Sequence, residues 1–187
     1  QQENALSEIK NHFTEKQVVL LHGVTGSGKT EVYMELIAAQ LAEGKQVLYM
    51  LPEIALTAQI INRLRKYFGE QIGIYHSKFN LHERVEIWNK VLNNEFKLIV
   101  SARSGIFLPF QDLGLIIVDE EHDLSFKQID PAPRYQARDA AIVLANYFQA
   151  KVLLGTATPS LESFYNAEKG KYAKVEMNKR FADIELP

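Results

Sequence analysis

Eight residues, Gly23-Val24-Thr25-Gly26-Ser27-Gly28-Lys29-Thr30, constrain this chain most, because they join an apolar run to a stretch of helical period. The run Val18 to His22 reads as a buried strand, and Lys29 to Glu43 places Val32, Leu36, Ile37 and Leu41 on one helical face. Gly44 then supplies a left-handed stop. A glycine-rich turn held between a buried strand and a helix requires neighbouring strands to cover it.

The remaining sequence provides them. Apolar, β-branched runs recur at Gln46 to Leu51, Ile72 to His76, Lys97 to Ser101, Leu115 to Asp119 and Lys151 to Thr156, with a weaker one at Tyr172 to Met177. Leu115-Ile116-Ile117-Val118 is apolar on both faces, as a parallel strand between helices is. Asn80 to Asn93 predicts a crossover helix opened by a capping box of Asn80 and Glu83, with Leu81, Val85, Trp88 and Leu92 facing the core. Trp88 is thus expected inside rather than as a base-stacking platform. The segments Arg103 to Gly114 and Asp123 to Gln136 break the rhythm and read as functional loops. The expected class is α/β: a doubly wound, mostly parallel sheet of about seven strands with helices on both faces.

Composition narrows the function. The chain has 187 residues, enough for one compact domain. Its lack of cysteine excludes thiolate zinc sites, iron–sulfur clusters and cysteine nucleophiles, and suits a reducing cytoplasm. A net charge of −2 gives no global pull toward a polyanion, so any nucleic-acid contact is local. No apolar run is long enough to cross a membrane, and Gln1 to Lys10 lacks the pattern of a secretory signal. His12, His22, His76 and His82 have no ligand-like grouping and are expected to be structural.

The eight-residue loop fits G-x-x-x-x-G-K-[ST] in the strand-to-helix context that the motif needs. Glycines 23, 26 and 28 let the backbone amides, with Thr25 and Ser27 between them, curl toward a nucleotide di- or triphosphate. Lys29 is placed for the β- and γ-phosphates and Thr30 for Mg²⁺. Asp119 emerges from its strand at the rim where the loop lies, as a second metal-binding group, and Glu120 is free to polarise a water for attack on the γ-phosphate. Paired acids favour hydrolysis, since a kinase must exclude water. ATP and Mg²⁺ are therefore the expected cofactors, with Lys29, Asp119 and Glu120 as catalytic residues.

At Asp119-Glu120-Glu121-His122 the chain resembles the superfamily 2 helicases of DEAD/DEAH type, whose second motif reads D-E-x-H. Pro52-Glu53-Ile54-Ala55-Leu56-Thr57 resembles their motif Ia, and Gly155-Thr156-Ala157-Thr158-Pro159-Ser160 their motif III. Phe126-Lys127-Gln128 and Arg134-Tyr135-Gln136-Ala137-Arg138-Asp139 are more specific and resemble the bacterial replication-restart helicases. The likeness runs from about Gln2 to Arg180. It implies a P-loop, RecA-like first lobe over 1–180, a connector at 181–187 and a second lobe elsewhere in a longer chain. It also implies 3′-to-5′ DNA helicase activity in replication restart and primosome assembly. Single-stranded and forked DNA, primosome proteins and single-strand-binding proteins would be partners, and the isolated lobe would be monomeric and weakly active, lacking the second lobe's arginine finger.

Individual roles follow from the same resemblance. Gln2 stands where the family has an adenine-reading glutamine, unless the terminus is frayed. Pro52, Glu53 and Thr57 would hold a DNA phosphate, or simply form a capped helix start. Motif Ib reads Ser101-Ala102-Arg103-Ser104-Gly105, lacking a hydroxyl at 102, so Arg103 and Ser104 are the remaining phosphate contacts. Phe126, Lys127, Gln128, Arg134, Tyr135 and Arg138 would couple DNA binding to hydrolysis by stacking and phosphate neutralisation, against the alternative of a solvated loop with Phe126 buried. Thr156 is expected to bond the motif II acids, Thr158-Pro159 to open a helix as N-cap and N1, and His122 to relay between the sites. Two other functions fit the loop alone: a nucleotide-dependent scaffold module, and a small-molecule P-loop kinase, which would leave motifs Ia and III without a role.

Overall fold

The computed structural model describes residues 1–76 and 79–180, so the connector expected at 181–187 lies outside it. In chain order its elements are α1 (Gln2–Glu15), β1 (Val18–Gly23), α2 (Lys29–Ala42), β2 (Gln46–Met50), α3 (Ala58–Phe68), β3 (Ile72–Tyr75), α4 (Leu81–Leu92) and β4 (Leu98–Ser101). There follow β5 (Leu113–Asp119), β6 (Lys127–Gln128), β7 (Tyr135–Gln136), α5 (Ala137–Phe148), β8 (Lys151–Thr156), α6 (Leu161–Glu168) and β9 (Ala173–Met177).

Seven strands form one sheet in the order β3-β4-β2-β5-β8-β1-β9, and every neighbouring pair is parallel. The strands are buried on both faces. On one face Ile9 of α1, Val32 and Ile37 of α2 and Leu64 of α3 cover the sheet; on the other, Ile87 and Val91 of α4 and Ala137, Ala141 and Ala145 of α5 do so. β6 and β7 form a separate antiparallel ribbon inside the segment read as irregular.

Two features differ from expectation. The capping box of α4 forms, with Asn80 Oδ1 accepting from the Glu83 amide and Glu83 Oε2 accepting from the Asn80 amide. Its buried stripe, however, is Ile87 and Val91, whereas Trp88 is 43% exposed and Leu81, Val85 and Leu92 also face outward. The helix carries two adjacent apolar stripes and lies over the edge strand β3, where the shorter stripe covers what the sheet presents. Trp88 is therefore a surface residue. The second difference is α1, a helix for which the sequence pattern gives no expectation: Ala5 and Ile9 are buried as it packs on α2 and β9.

Register places the site. Asp119 of β5 lies opposite Gly155 of β8, which lies opposite Leu21 of β1, and Thr156 faces His22. The three strands end level, so the loop after β1 and the acids after β5 emerge at one rim, two strand spacings or about 10 Å apart.

Candidate active site

The loop after β1 turns on Gly26 and Gly28, whose φ angles of 79° and 89° lie in the left-handed region. Gly28 is the N-cap of α2 and no side chain caps that helix, leaving its first amides facing the cleft. Lys29 is buried within the loop and donates to the Gly23 carbonyl at 2.8 Å. The Ser27 hydroxyl is buried without a hydrogen-bond partner. Gln2 at the start of α1 donates to the Ser27 carbonyl at 3.3 Å, and a Cβ at position 28 would run into its amide. Gln2, Gly26, Gly28 and Lys29 line a cleft of about 400 Å³ together with Thr25, Thr30, Asp119 and Glu120. Uncapped amides, a lysine folded onto a carbonyl and a buried orphan hydroxyl fit a polyphosphate, and Thr30 with Asp119 gives the hard oxygen donors that Mg²⁺ takes.

Behind the acids stand two tyrosines that the sequence reading did not single out. The Tyr33 hydroxyl donates to Asp119 Oδ1 at 2.9 Å and that of Tyr49 to Oδ2 at 3.4 Å. Burial pushes both phenols well above their usual range, so they remain protonated donors. Burial likewise raises the Asp119 carboxyl to about 6, against the opposing pull of the Tyr33 hydrogen bond. Glu120 has a φ of 48°, left-handed for a non-glycine residue, and its amide donates to Asp119 Oδ1 at 3.1 Å. Arg63 of α3 also lines the cleft and pairs with Glu31.

Motif III meets motif II through His122. Its Nδ1 shares a hydrogen bond with Thr156 Oγ1 at 2.8 Å and lies 3.7 Å from Glu120 Oε2, while its Nε2 is 3.3 Å from Thr158 Oγ1. The partner of Thr156 is thus the histidine rather than the acids. Nor do Thr158 and Pro159 open α6: Ser160 is its N-cap, accepting from the Ser163 amide at 3.2 Å, and the Thr158 amide donates to Thr156 Oγ1. Fully buried, Thr156 spends its hydroxyl on these two local contacts, which fixes the turn after β8. His22 reaches this turn too, within 3.2 Å of the Ala157 carbonyl, and no metal-ligand cluster occurs among the described residues.

The residues read as DNA contacts separate into two groups. Pro52 is buried, Glu53 is exposed, and the exposed Thr57 caps α3 by accepting from the Ile60 amide at 3.4 Å. Ser104 is half-buried, and Arg103 donates to the Ser125 carbonyl at 3.2 Å, tying it to the neighbouring loop. In that loop Phe126 is fully buried, which makes it the loop's anchor and corrects its reading as a stacking surface. Arg138 is also buried, paired with Glu121 and Asp139, and so is not a phosphate ligand. Gln128 donates to the Pro131 and Pro133 carbonyls and Arg134 to that of Ile129, closing the ribbon's tip. Tyr135 packs edge-on against Phe107, and Lys127 is left exposed beside Ile129.

Comparison with known proteins agrees with this geometry. The DEAD/DEAH box helicase family matches residues 1–166. The chain is 47% identical over 173 residues to replication restart protein PriA of Bacillus subtilis (strain 168), covering 92% of this chain and 21% of that protein. It is 49% identical over 168 residues to the protein of the same name from Rickettsia felis, covering 90% of this chain and 26% of the relative. Among solved structures, RecG bound to a three-way DNA junction superposes with a TM-score of 0.70 at 21% identity, over 98% of this chain and 24% of that one. The Pyrococcus furiosus Hef helicase domain gives 0.64, also at 21%, over 95% of this chain and 38% of that one. These likenesses bear out the expected RecA-like fold and the resemblance to the replication-restart helicases.

Proposed function

Because the chain belongs to the DEAD/DEAH box helicase family, we propose that it is the ATP-binding lobe of a 3′-to-5′ DNA helicase that acts in replication restart. The chain spans about a quarter of the curated relatives named above, so DNA, a second lobe, primosome proteins and single-strand-binding proteins enter as partners proposed for the longer protein. A cytoplasmic setting accords with that reading; among the described residues no helix is long and apolar enough to cross a membrane. The observation that carries the proposal is the meeting of the Gly26–Thr30 loop with Asp119 and Glu120 in one cleft.

Bound Mg²⁺ would supply charge neutralisation to the triphosphate. The amides of the loop hold the phosphates, and Lys29 exchanges the Gly23 carbonyl for phosphate oxygens. Thr30 and Asp119 hold the metal, with Tyr33 and Tyr49 fixing the orientation of the carboxylate. Glu120 takes the proton from the attacking water, and His122 links it to the turn after β8. Gln2 sits against the loop as the residue that reads the base. Pro52 and Glu53 on the turn after β2 and Thr57 at the N-cap of α3, with Arg103 and Lys127, form the DNA-facing side.

Residues 1–187 alone are expected to hydrolyse ATP weakly, because the second lobe would bring the remaining transition-state charge. Unwinding assays on the full-length protein test the proposal, using forked duplexes with a single 3′ or 5′ tail. ATP-dependent strand separation from the substrate that permits 3′-to-5′ movement is the expected result. ATP binding with no effect of DNA would instead support a scaffold module, and phosphate transfer to a metabolite a kinase.

A further inference from the structure

Glu121 has no part in the chemistry above, yet it is the most enclosed charge in the site. Its carboxylate is fully buried and accepts from the Ser160 amide at 2.7 Å, the Ser160 hydroxyl at 2.9 Å, the Ser163 hydroxyl at 2.8 Å and Arg138 Nη1 at 3.0 Å. Arg138 is itself buried, and it also donates to Ser160 Oγ at 2.6 Å and through Nε to Asp139 at 2.8 Å. The cluster draws together the turn after β5, the first turn of α5 and the N-terminus of α6.

Stability alone is a poor reason for such a cluster, since buried ion pairs are often replaceable by apolar side chains without loss. Its place in the chain gives a better one. Glu120, immediately before it, occupies a left-handed conformation that non-glycine residues rarely adopt. On one side Glu120 is pinned by its amide to Asp119, and on the other by the Glu121 amide, which donates to the Gly155 carbonyl at 3.1 Å. With the Glu121 side chain anchored as well, the backbone of Glu120 has no easy route to the ordinary right-handed region. Arg138, directly after the β6–β7 ribbon, connects that anchor to the loop read as DNA-coupled.

We infer that Glu121 and Arg138 are positioning residues for ATP hydrolysis: together with Ser160 and Ser163 they hold Glu120 in the left-handed conformation that aims its carboxylate, and they join that conformation to the β6–β7 loop. This rests on the reading of Glu120 as the general base. Glu121→Gln keeps the shape of the side chain and removes its charge.

The test compares this variant with the unaltered full-length protein by DNA-stimulated ATPase kinetics, binding of a fluorescent ATP analogue and thermal unfolding. The expected result is a kcat at least 10-fold lower, with KM and analogue affinity within about 2-fold and a folded protein. Ser163→Ala, which removes one of the four hydrogen bonds, is expected to lower kcat by a smaller factor with KM again unchanged. A folded Glu121→Gln protein turning over at the unaltered rate overturns the inference. So does loss of kcat that merely follows the unfolded fraction, or failure of both variants to fold, either of which assigns the cluster to stability. Absence of DNA-stimulated hydrolysis in the unaltered protein would instead overturn the function on which the inference rests.

Discussion

The Tyr33 hydroxyl reaches Asp119 Oδ1 at 2.9 Å by crossing the backbone of Gly155, where a Cβ would collide with it. Asp119 and Gly155 are register partners on neighbouring strands, so the missing side chain in β8 opens the path from α2 to the acid on β5. The carboxylate proposed to hold Mg²⁺ is in this way oriented by a residue four positions after Lys29.

Tyr33→Phe keeps the ring and removes the donor. A hydrogen bond to a charged group is worth about 1.5–3 kcal/mol, so kcat is expected to fall at least about 10-fold and the Mg²⁺ concentration for half-maximal rate to rise, with nucleotide affinity little changed. Titrating Mg²⁺ in a steady-state ATPase assay checks this. Gly155→Ala is expected to be worse, destabilising the fold by about 1–3 kcal/mol through overpacking.

The raised Asp119 carboxyl fixes a sign. Its folded value of about 6 exceeds the unfolded value of about 3.9, so the folded chain holds the proton more tightly. The stability this contributes is complete below about pH 4 and is lost as pH rises through about 6. Asp119→Asn is therefore expected to stabilise the Mg²⁺-free protein at pH 7.5 by about 3 kcal/mol, with the advantage vanishing near pH 4, while abolishing hydrolysis. Urea unfolding at the two pH values measures it; equal or lower stability at pH 7.5 contradicts it.

Much of this site is legible in the sequence because its signals are local. Strand, glycine loop, lysine and helix are contiguous from Val18 to Glu43, and Asp119 ends an apolar run, so register alone brings them together. What is not legible depends on side chains meeting across the sheet. Tyr33, Tyr49 and Arg63 look like ordinary helix and strand residues until α2, β2 and α3 are placed around Asp119. The burial of Arg138 has the same origin, since a basic residue beside a loop reads as exposed until Glu121 is known to face it, whereas Phe126 is buried in the apolar cluster that holds Ala137, Ala141 and Ala145, the alternative its aromatic side chain already offered. One signal was available for Glu121: a third acid beside two that already have roles needs a partner of its own.

The stripe choice on α4 is testable by stability. Ile87 is 9% exposed and Trp88 43%, so Ile87→Ala is expected to cost about 2–4 kcal/mol and Trp88→Ala under about 1 kcal/mol. Chemical denaturation of the two variants distinguishes the faces; the opposite order would return Trp88 to the core.

The role of Glu120 is tested most directly by ATP turnover of the full-length protein carrying Glu120→Gln, measured with Mg²⁺ and single-stranded DNA alongside the unaltered protein and Lys29→Ala. DNA-stimulated hydrolysis is expected in the unaltered protein, a fall of about 100-fold or more in Glu120→Gln with nucleotide still bound, and loss of both binding and turnover in Lys29→Ala. Turnover by Glu120→Gln at the unaltered rate would rule out the motor reading, because the carboxylate beside the phosphate loop would then have no part in cleaving the nucleotide.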